Sequence, residues 1–324
     1  MGAGKGLLAD NILAYLPHLA QGFSESVTLV AIERNSASVL QGDLKSASEW
    51  PIRGIPDCIL SNELLDAFPV HRVIMLEGRL LEVFITLDGD KFIETLDEPS
   101  TPMLEAQLST ERITLGNGYS TEINLNIDQW MEGVAHSLKA GYLLTIDYGY
   151  PAEDFYSPQR RNGTLMTYCR HTQGNDPFLH IGYQDITTHV DFTSVILSGE
   201  RRGFEFVALT TQREFCYNLG LDFFMKSLER QGLSYSEYNA NRSSILELVR
   251  HEGMGGFSVL IQSKGLPQIQ LYGFTRYYGG KTALHTGREL PVPLLAHEHI
   301  PLLQSRYPHL MDFDTDCFNN EDNG

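Results

Sequence analysis

The sequence predicts an α/β chain built on a doubly wound, mostly parallel sheet with an inserted β-hairpin region. Three observations carry this. A glycine-rich opening, Gly2-Ala3-Gly4-Lys5-Gly6, runs straight into an amphipathic stretch. Short apolar runs recur at 27–32, 58–60, 142–146, 204–209 and 257–262, most of them separated by segments of helical period. Between residues 70 and 96 the pattern changes to that of hairpin strands.

Taken in order, Leu7, Leu8, Ile12, Leu13 and Leu16 share a helical face that ends near Pro17. Val27–Ile32 reads as a buried strand closed by Glu33-Arg34-Asn35. Cys58-Ile59-Leu60 reads as another, leading into Ser61-Asn62-Glu63-Leu64-Leu65-Asp66. Apolar residues on either side of Glu77-Gly78-Arg79 predict a hairpin, and Asp88-Gly89-Asp90 a second turn. A helix over Ile127–Leu138 presents Trp130 and Val134 and is expected to end at Gly141. The strand Tyr142–Ile146 then runs into Asp147-Tyr148-Gly149-Tyr150-Pro151. Residues 151–190 read as one long polar loop with many aromatics and histidines, of the kind that is either functional or disordered. A helix from Val190 to Leu197, a strand over Phe204–Leu209, helical stretches at Arg213–Gln231 and Ser234–His251, and a strand over Phe257–Gln262 follow. The domain is expected to span 1–265, with insertions at about 70–125 and 151–190. A C-terminal extension, 266–324, ends in an acidic, Asn-rich stretch from Met311 that predicts disorder.

The chain has 324 residues, 42% hydrophobic and 20% charged, with a net charge of -17. An acidic surface repels nucleic-acid phosphate and anionic lipid, so nucleic acid is not an expected partner. The four cysteines, Cys58, Cys169, Cys216 and Cys317, form no CxxC pair, which excludes a zinc site and a disulfide framework of the usual spacing. No run is long and apolar enough to span a membrane, and no signal peptide is visible.

Gly2, Ala3, Gly4 and Gly6 form a GxGxG loop at a helix start, where bare backbone and free N–H groups can approach a ligand. A P-loop requires Ser or Thr after Lys5, where Gly6 stands; a NAD fingerprint requires glycine at Leu7. The tighter spacing is the one with which methyltransferases hold S-adenosyl-L-methionine. Glu33 closes the next strand, where a carboxylate can accept both hydroxyls of a ribose.

The segment Ser61-Asn62-Glu63-Leu64-Leu65-Asp66-Ala67-Phe68-Pro69-Val70-His71-Arg72 resembles the SNELLDALPVHR hallmark of one family, with Phe68 in place of Leu. That family is the class I methyltransferases typified by the mitochondrial complex I assembly factor that methylates an arginine, with many bacterial relatives. Asp147–Pro151, Gly163-Thr164-Leu165 through Tyr168, Arg170 and His171 to Asp176-Pro177, Gln184–Thr193 and Met254-Gly255 through Phe257 resemble further motifs of it, over roughly residues 1–265. The resemblance implies a Rossmann-like class I fold and S-adenosyl-L-methionine as cofactor. It also implies a protein-arginine acceptor, which could belong to a respiratory complex subunit. A small-molecule acceptor, and a non-enzymatic cofactor-binding assembly protein, remain as alternatives, and a homodimer is compatible with either. It places the protein in the cytoplasm, or in the mitochondrial matrix for a eukaryotic source. The family's first strand precedes the glycine loop, so the written chain is expected to be a fragment or to start late.

Glu63, Asp66, Asp147 and His189 are the candidate catalytic residues, because methylation of a guanidinium needs a carboxylate to orient it and to take its proton. Asn62 joins Gly2, Ala3, Gly4, Gly6 and Glu33 on the cofactor side. Asp66 also reads as a first-turn helix acid, Asp191 as a helix cap and His189 as a buried structural histidine. A metal site on His189 and Asp191 lacks a third ligand.

Overall fold

The computed structural model describes residues 1–19, 22–34, 45–47, 55–169, 172–267, 269–275 and 290–295. The calls on Arg170, His171 and the tail from Met311 lie outside them, as does most of the segment between Arg34 and Asp57. In chain order the elements are α1 (Leu7–Tyr15), α2 (Phe23–Ser26), β1 (Val30–Ile32), β2 (Lys45–Ala47), β3 (Ile55–Asn62), β4 (His71–Leu76), β5 (Arg79–Asp88) and β6 (Lys91–Asp97). There follow α3 (Met103–Thr110), β7 (Tyr119–Ile123), α4 (Asn126–Ser137), β8 (Leu138–Asp147), β9 (Gly149–Tyr150), α5 (Ala152–Phe155), β10 (Met166–Cys169), β11 (Thr172–Gly174) and β12 (Asp185–Thr187). The last are β13 (Val190–Asp191), α6 (Phe192–Glu200), β14 (Glu205–Thr211), α7 (Gln212–Asn218), α8 (Leu221–Leu228), α9 (Tyr235–Glu247) and β15 (Ser258–Lys264).

The chain forms two compact units. Unit one comprises Met1–Leu64, Gly133–Asp147 and the described residues from Gly203 on; unit two comprises Leu65–Glu132 and Tyr148–Arg202. In unit one, β3 and β8 pair in parallel, with Cys58 opposite Tyr142 and Asn62 opposite Ile146. β8 then pairs antiparallel with β15, and β15 with β14. An antiparallel edge on a parallel core is a common ending for an α/β sheet. Leu143, Val259 and Leu260 are fully buried, each stabilising the unit by about 1.5–3 kcal/mol. β1 and β2 form a separate parallel pair. On the edge of β3 the amino group of Met1 donates to the Leu60 carbonyl.

Unit two holds the antiparallel sheet β6-β5-β4-β7, the three-stranded sheet β11-β10-β12 and the short parallel pair β9/β13. Its hairpins turn where expected, at Glu77-Gly78 and Gly89-Asp90. Glu77 and Gly78 both have positive φ, which suits the twist of the strands they join. Val73, Leu80, Leu104, Leu108, Leu115, Tyr119 and Ile123 form one buried cluster between that sheet and α3.

Four readings are corrected. Gly141 does not end a helix: it lies inside β8, paired with Asp57 and Lys264, because strand pairing on both sides overrides its turn propensity. The stretch Arg213–Gln231 breaks into α7 and α8 at Gly220, whose φ of 98° only glycine adopts at low cost. Residues 151–190 are not one loop but carry α5, β10, β11, β12 and the start of β13. The expected strand at 27–32 shortens to Val30–Ile32, because α2 runs to Ser26 just before it.

Candidate functional site

The glycine loop of unit one has the backbone a ligand cradle needs. Gly2, Gly4 and Gly6 have φ of 62°, 53° and 86°, a region where a side chain is strained. Gly6 is the left-handed N-cap of α1 and carries no side-chain cap. A Cβ at Gly4 would meet nothing within 4 Å, so the loop there is open, whereas one at Gly2 would lie 2.8 Å from Leu64 Cδ1. The Ala3 N–H donates to the Ile32 carbonyl at 3.3 Å, which ties the loop to β1. The Gly4 N–H donates to Glu33 Oε2 at 2.8 Å. The carboxylate at the strand end and the loop backbone, read separately from the sequence, are thus in contact.

Asn62 and Glu63 leave the C-terminal end of β3 beside the end of β8. The Glu63 N–H donates to the Ile146 carbonyl at 2.9 Å, and Asn62 Nδ2 donates to Glu63 Oε1 at 3.1 Å. Glu63 has φ of 47°, left-handed for a residue with a Cβ, at a cost of about 1–2 kcal/mol. Asp147 is fully buried at the end of β8, and its Oδ2 accepts the Leu64 N–H at 3.1 Å. It therefore holds the turn after β3 in place.

Asp66 and His189 come together in unit two. The Tyr148 hydroxyl donates to Asp66 Oδ2 at 2.5 Å, and the Thr188 N–H donates to the Asp66 carbonyl at 3.0 Å. Burial pushes the Asp66 carboxyl above the ordinary carboxylate value, against the Tyr148 hydroxyl, which favours the ionised form. The His189 ring meets Tyr148 edge-on at 5.5 Å and lies 5.4 Å from the Tyr150 ring. Burial, and then the charge of Arg160, lower the His189 imidazole to about 4, so it is neutral at pH 7. Its Nδ1 is buried without a hydrogen-bond partner, and its backbone N–H donates to Thr164 Oγ1 at 3.0 Å. The Arg160 guanidinium lies 3.6 Å over the Tyr150 ring. Sequence reasoning missed Tyr150 and Arg160 as parts of this group; the spacing Tyr148-Gly149-Tyr150 was the available signal.

Asp191 is a helix cap: its Oδ1 accepts the N–H groups of Thr193 at 2.9 Å and Ser194 at 3.3 Å. Its Oδ2, Glu111 Oε2 and the Tyr156 hydroxyl are buried without a hydrogen-bond partner, and the Asp191 and Glu111 carboxyls are close enough to couple. Two buried carboxyls in contact share a proton. Burial first, and then Asp191, push Glu111 up to about 9. A folded-state value above the unfolded one means that stability is lost as pH rises from about 4.5 towards 9. Glu111→Gln supplies the bridging hydrogen permanently, so it is expected to raise Tm at pH 8 and to change it little at pH 4, by thermal melts at both. Beside Glu111 a cavity of about 420 Å³ is also lined by Gln107, Asn124, Asp128, Ser194 and Arg201; no sequence-predicted site residue lines it. No cluster of three His, Cys, Asp or Glu able to hold a metal occurs among the described residues, and no described helix is long and apolar enough to cross a membrane.

Comparison with known proteins bears on the family, the fold and the cofactor. Residues 1–210 match the family described as "Putative S-adenosyl-L-methionine-dependent methyltransferase". The mitochondrial protein arginine methyltransferase NDUFAF7 homolog of Drosophila melanogaster is 28% identical over 201 residues, 59% of this chain. The matched part is 40% of that relative's length. A crystal structure of a Burkholderia thailandensis superfamily member bound to S-adenosyl-homocysteine superposes with a TM-score of 0.72 at 26% identity, over 85% of this chain and 73% of that one. A second structure of a superfamily protein from the same organism gives 0.64 at 26% identity, over 84% and 67%. The fold is that of a class I methyltransferase and the cofactor is S-adenosyl-L-methionine. With a match across its first 210 residues, the chain belongs to this S-adenosyl-L-methionine-dependent methyltransferase family.

Proposed function

We propose that the protein transfers a methyl group from S-adenosyl-L-methionine to a nitrogen of an arginine side chain in another protein. The observation that carries this reading is the Arg160 guanidinium seated on Tyr150, beside His189, in the group that also holds Asp66 and Tyr148. A guanidinium is at home there because an aromatic face attracts a cation once both leave bulk water. The arginine methyltransferase named among the relatives supports the same acceptor.

Bound S-adenosyl-L-methionine supplies an electrophilic methyl carbon on a sulfonium, which leaves as a neutral thioether. The residues of unit one that fit it are the open loop at Gly4, the carboxylate of Glu33 for the ribose hydroxyls, and Asn62. In unit two, the Tyr148 ring orients the acceptor guanidinium beside Tyr150, whose own ring already carries Arg160. This group is charged in water, with a pKa above about 12, so its nitrogen attacks only as it gives up a proton. Asp66 takes that proton at Oδ1 or Oδ2, helped by burial that makes it a stronger base than a surface carboxylate. Neutral His189 adds no repelling charge beside the incoming cation.

The test is methyl transfer from isotopically labelled S-adenosyl-L-methionine to arginine-containing peptides, read by fragment mass spectrometry. Label on a guanidinium nitrogen is the expected result; label on another residue or on a small molecule overturns the acceptor. Calorimetric titration of the cofactor runs beside it. Glu33→Gln removes a charged acceptor and is expected to weaken binding about tenfold.

A further inference from the structure

Unit two carries an apolar surface that its own core does not use. β5 pairs with β4 only from Arg79 to Glu82; from Val83 on, its strand partner is β6 alone, so the two run on as an arm. Register sets Val83 opposite Leu96 and Leu87 opposite Phe92, with Ile85 between them on the same face opposite Glu94. Ile85, Leu87, Phe92 and Leu96 are 56%, 61%, 44% and 45% exposed. The Phe92 ring stacks on Phe178 at 6.1 Å. The chain after Phe178 bears Leu179 at 54% and Tyr183 at 77% exposure. A contiguous exposed apolar patch of this kind marks an interaction surface.

Charge narrows the partner. Between Val83 and Asp97 the arm has four acids, Asp88, Asp90, Glu94 and Asp97, and one cation, Lys91. Arg72, of the adjoining strand, pairs with Glu94, and Arg79 with Glu98, which leaves Asp88, Asp90 and Asp97 against Lys91 on the arm. A second copy would bring the same acids and the same net charge of -17, and like charges set face to face oppose association.

We propose that the β5–β6 arm is the docking surface for a basic, partly apolar protein, namely the methyl acceptor, held by apolar contacts with the strand face and by arginine or lysine over the acidic rim. This rests on the proposed function for the partner's identity. It places the affinity for a whole protein acceptor on unit two.

The test uses the full chain and two fluorescein-labelled peptides, one alternating leucine with arginine and one with glutamate replacing each arginine, followed by anisotropy. The arginine peptide is expected to bind at least about tenfold more tightly, and to weaken with salt. Leu87→Ser with Phe92→Ser should weaken it about tenfold or more, and Asp88→Lys with Asp90→Lys should invert the preference. All four positions are exposed, and unchanged thermal melts would show that the variants fold. Equal binding of both peptides, binding of neither, or unchanged affinity in the apolar variant overturns the proposal. So does a dimer, seen by sedimentation, that the apolar variant converts to monomer, since the occupant is then a second copy. Calorimetry with S-adenosyl-L-methionine on the same proteins separates the two readings. Failed peptide binding with intact cofactor binding removes the docking surface alone, and failed cofactor binding in the wild type removes the methyltransferase reading.

Discussion

Gly149→Ala is expected to lower Tm by about 4–5 °C, the effect of about 3 kcal/mol on a chain of this size. The added Cβ would lie 2.0 Å from the Val190 carbonyl oxygen and 2.6 Å from its nitrogen. Both atoms are backbone, so no rotamer change relieves the clash. The β9/β13 pair must separate, and with it the link between Tyr150 and Asp191. Tyr148 and His189, which flank this pair, would lose their mutual alignment, so the variant should also lose methyl transfer. Gly78→Ala is the matched comparison: its φ is 78°, but its Cβ meets nothing within 4 Å. It should cost only the left-handed penalty, about 1–2 kcal/mol. Similar melts for the two variants would mean that β9 and β13 are not in close contact.

Asp66→Asn is expected to reduce methyl transfer by about 10²- to 10⁴-fold, the usual worth of a positioned proton acceptor. Cofactor affinity should be unchanged, because the residues assigned to the cofactor belong to unit one. The pH profile supplies a sharper check. Only ionised Asp66 accepts a proton, so kcat/KM should rise with pH through a value above that of an ordinary carboxylate. Tyr148→Phe removes the hydroxyl that favours the ionised form, so the rising limb should move to higher pH while the plateau persists. If Asp66→Asn transfers methyl groups normally, Glu63 becomes the next acceptor to test by Glu63→Gln.

Local pattern carried much of the fold. The hairpin turns at Glu77-Gly78 and Gly89-Asp90 were legible because two-residue turns have a narrow chemistry. α4 was legible from Trp130 and Val134, and α6 from Asp191, whose capping role is a local matter. What failed depended on distant chain. Nothing near Gly141 reveals that Asp57 and Lys264 will pair with it. The short strands between Met166 and Asp191 pair only with each other or with β9, and leave no long apolar run. For the site, the glycine loop and Glu33 were each legible as motifs, while the bond between Gly4 and Glu33 became visible only in the folded chain. Arg160 on Tyr150 was not legible, since a guanidinium on a ring is invisible until the chain is folded. Nor was the Glu111 and Asp191 pair, whose members end one helix and begin another.

The order β14-β15-β8-β3 has a consequence for synthesis. β3 emerges early, yet its partner β8 is made only after the whole first segment of unit two, and β8 waits in turn for β15. Until Ser258–Lys264 leaves the ribosome, β8 has one edge of apolar strand unpaired, and Leu143 lacks the strand that completes its sheet. Such non-local closure is slow, and open strand edges are where nascent chains aggregate. The first segment of unit two, with its four-stranded antiparallel sheet and α3 all made between His71 and Ile123, meets no such delay. The order of assembly is therefore the reverse of the order of translation: the inserted unit settles first, and the glycine loop at the N-terminus gains its finished sheet last.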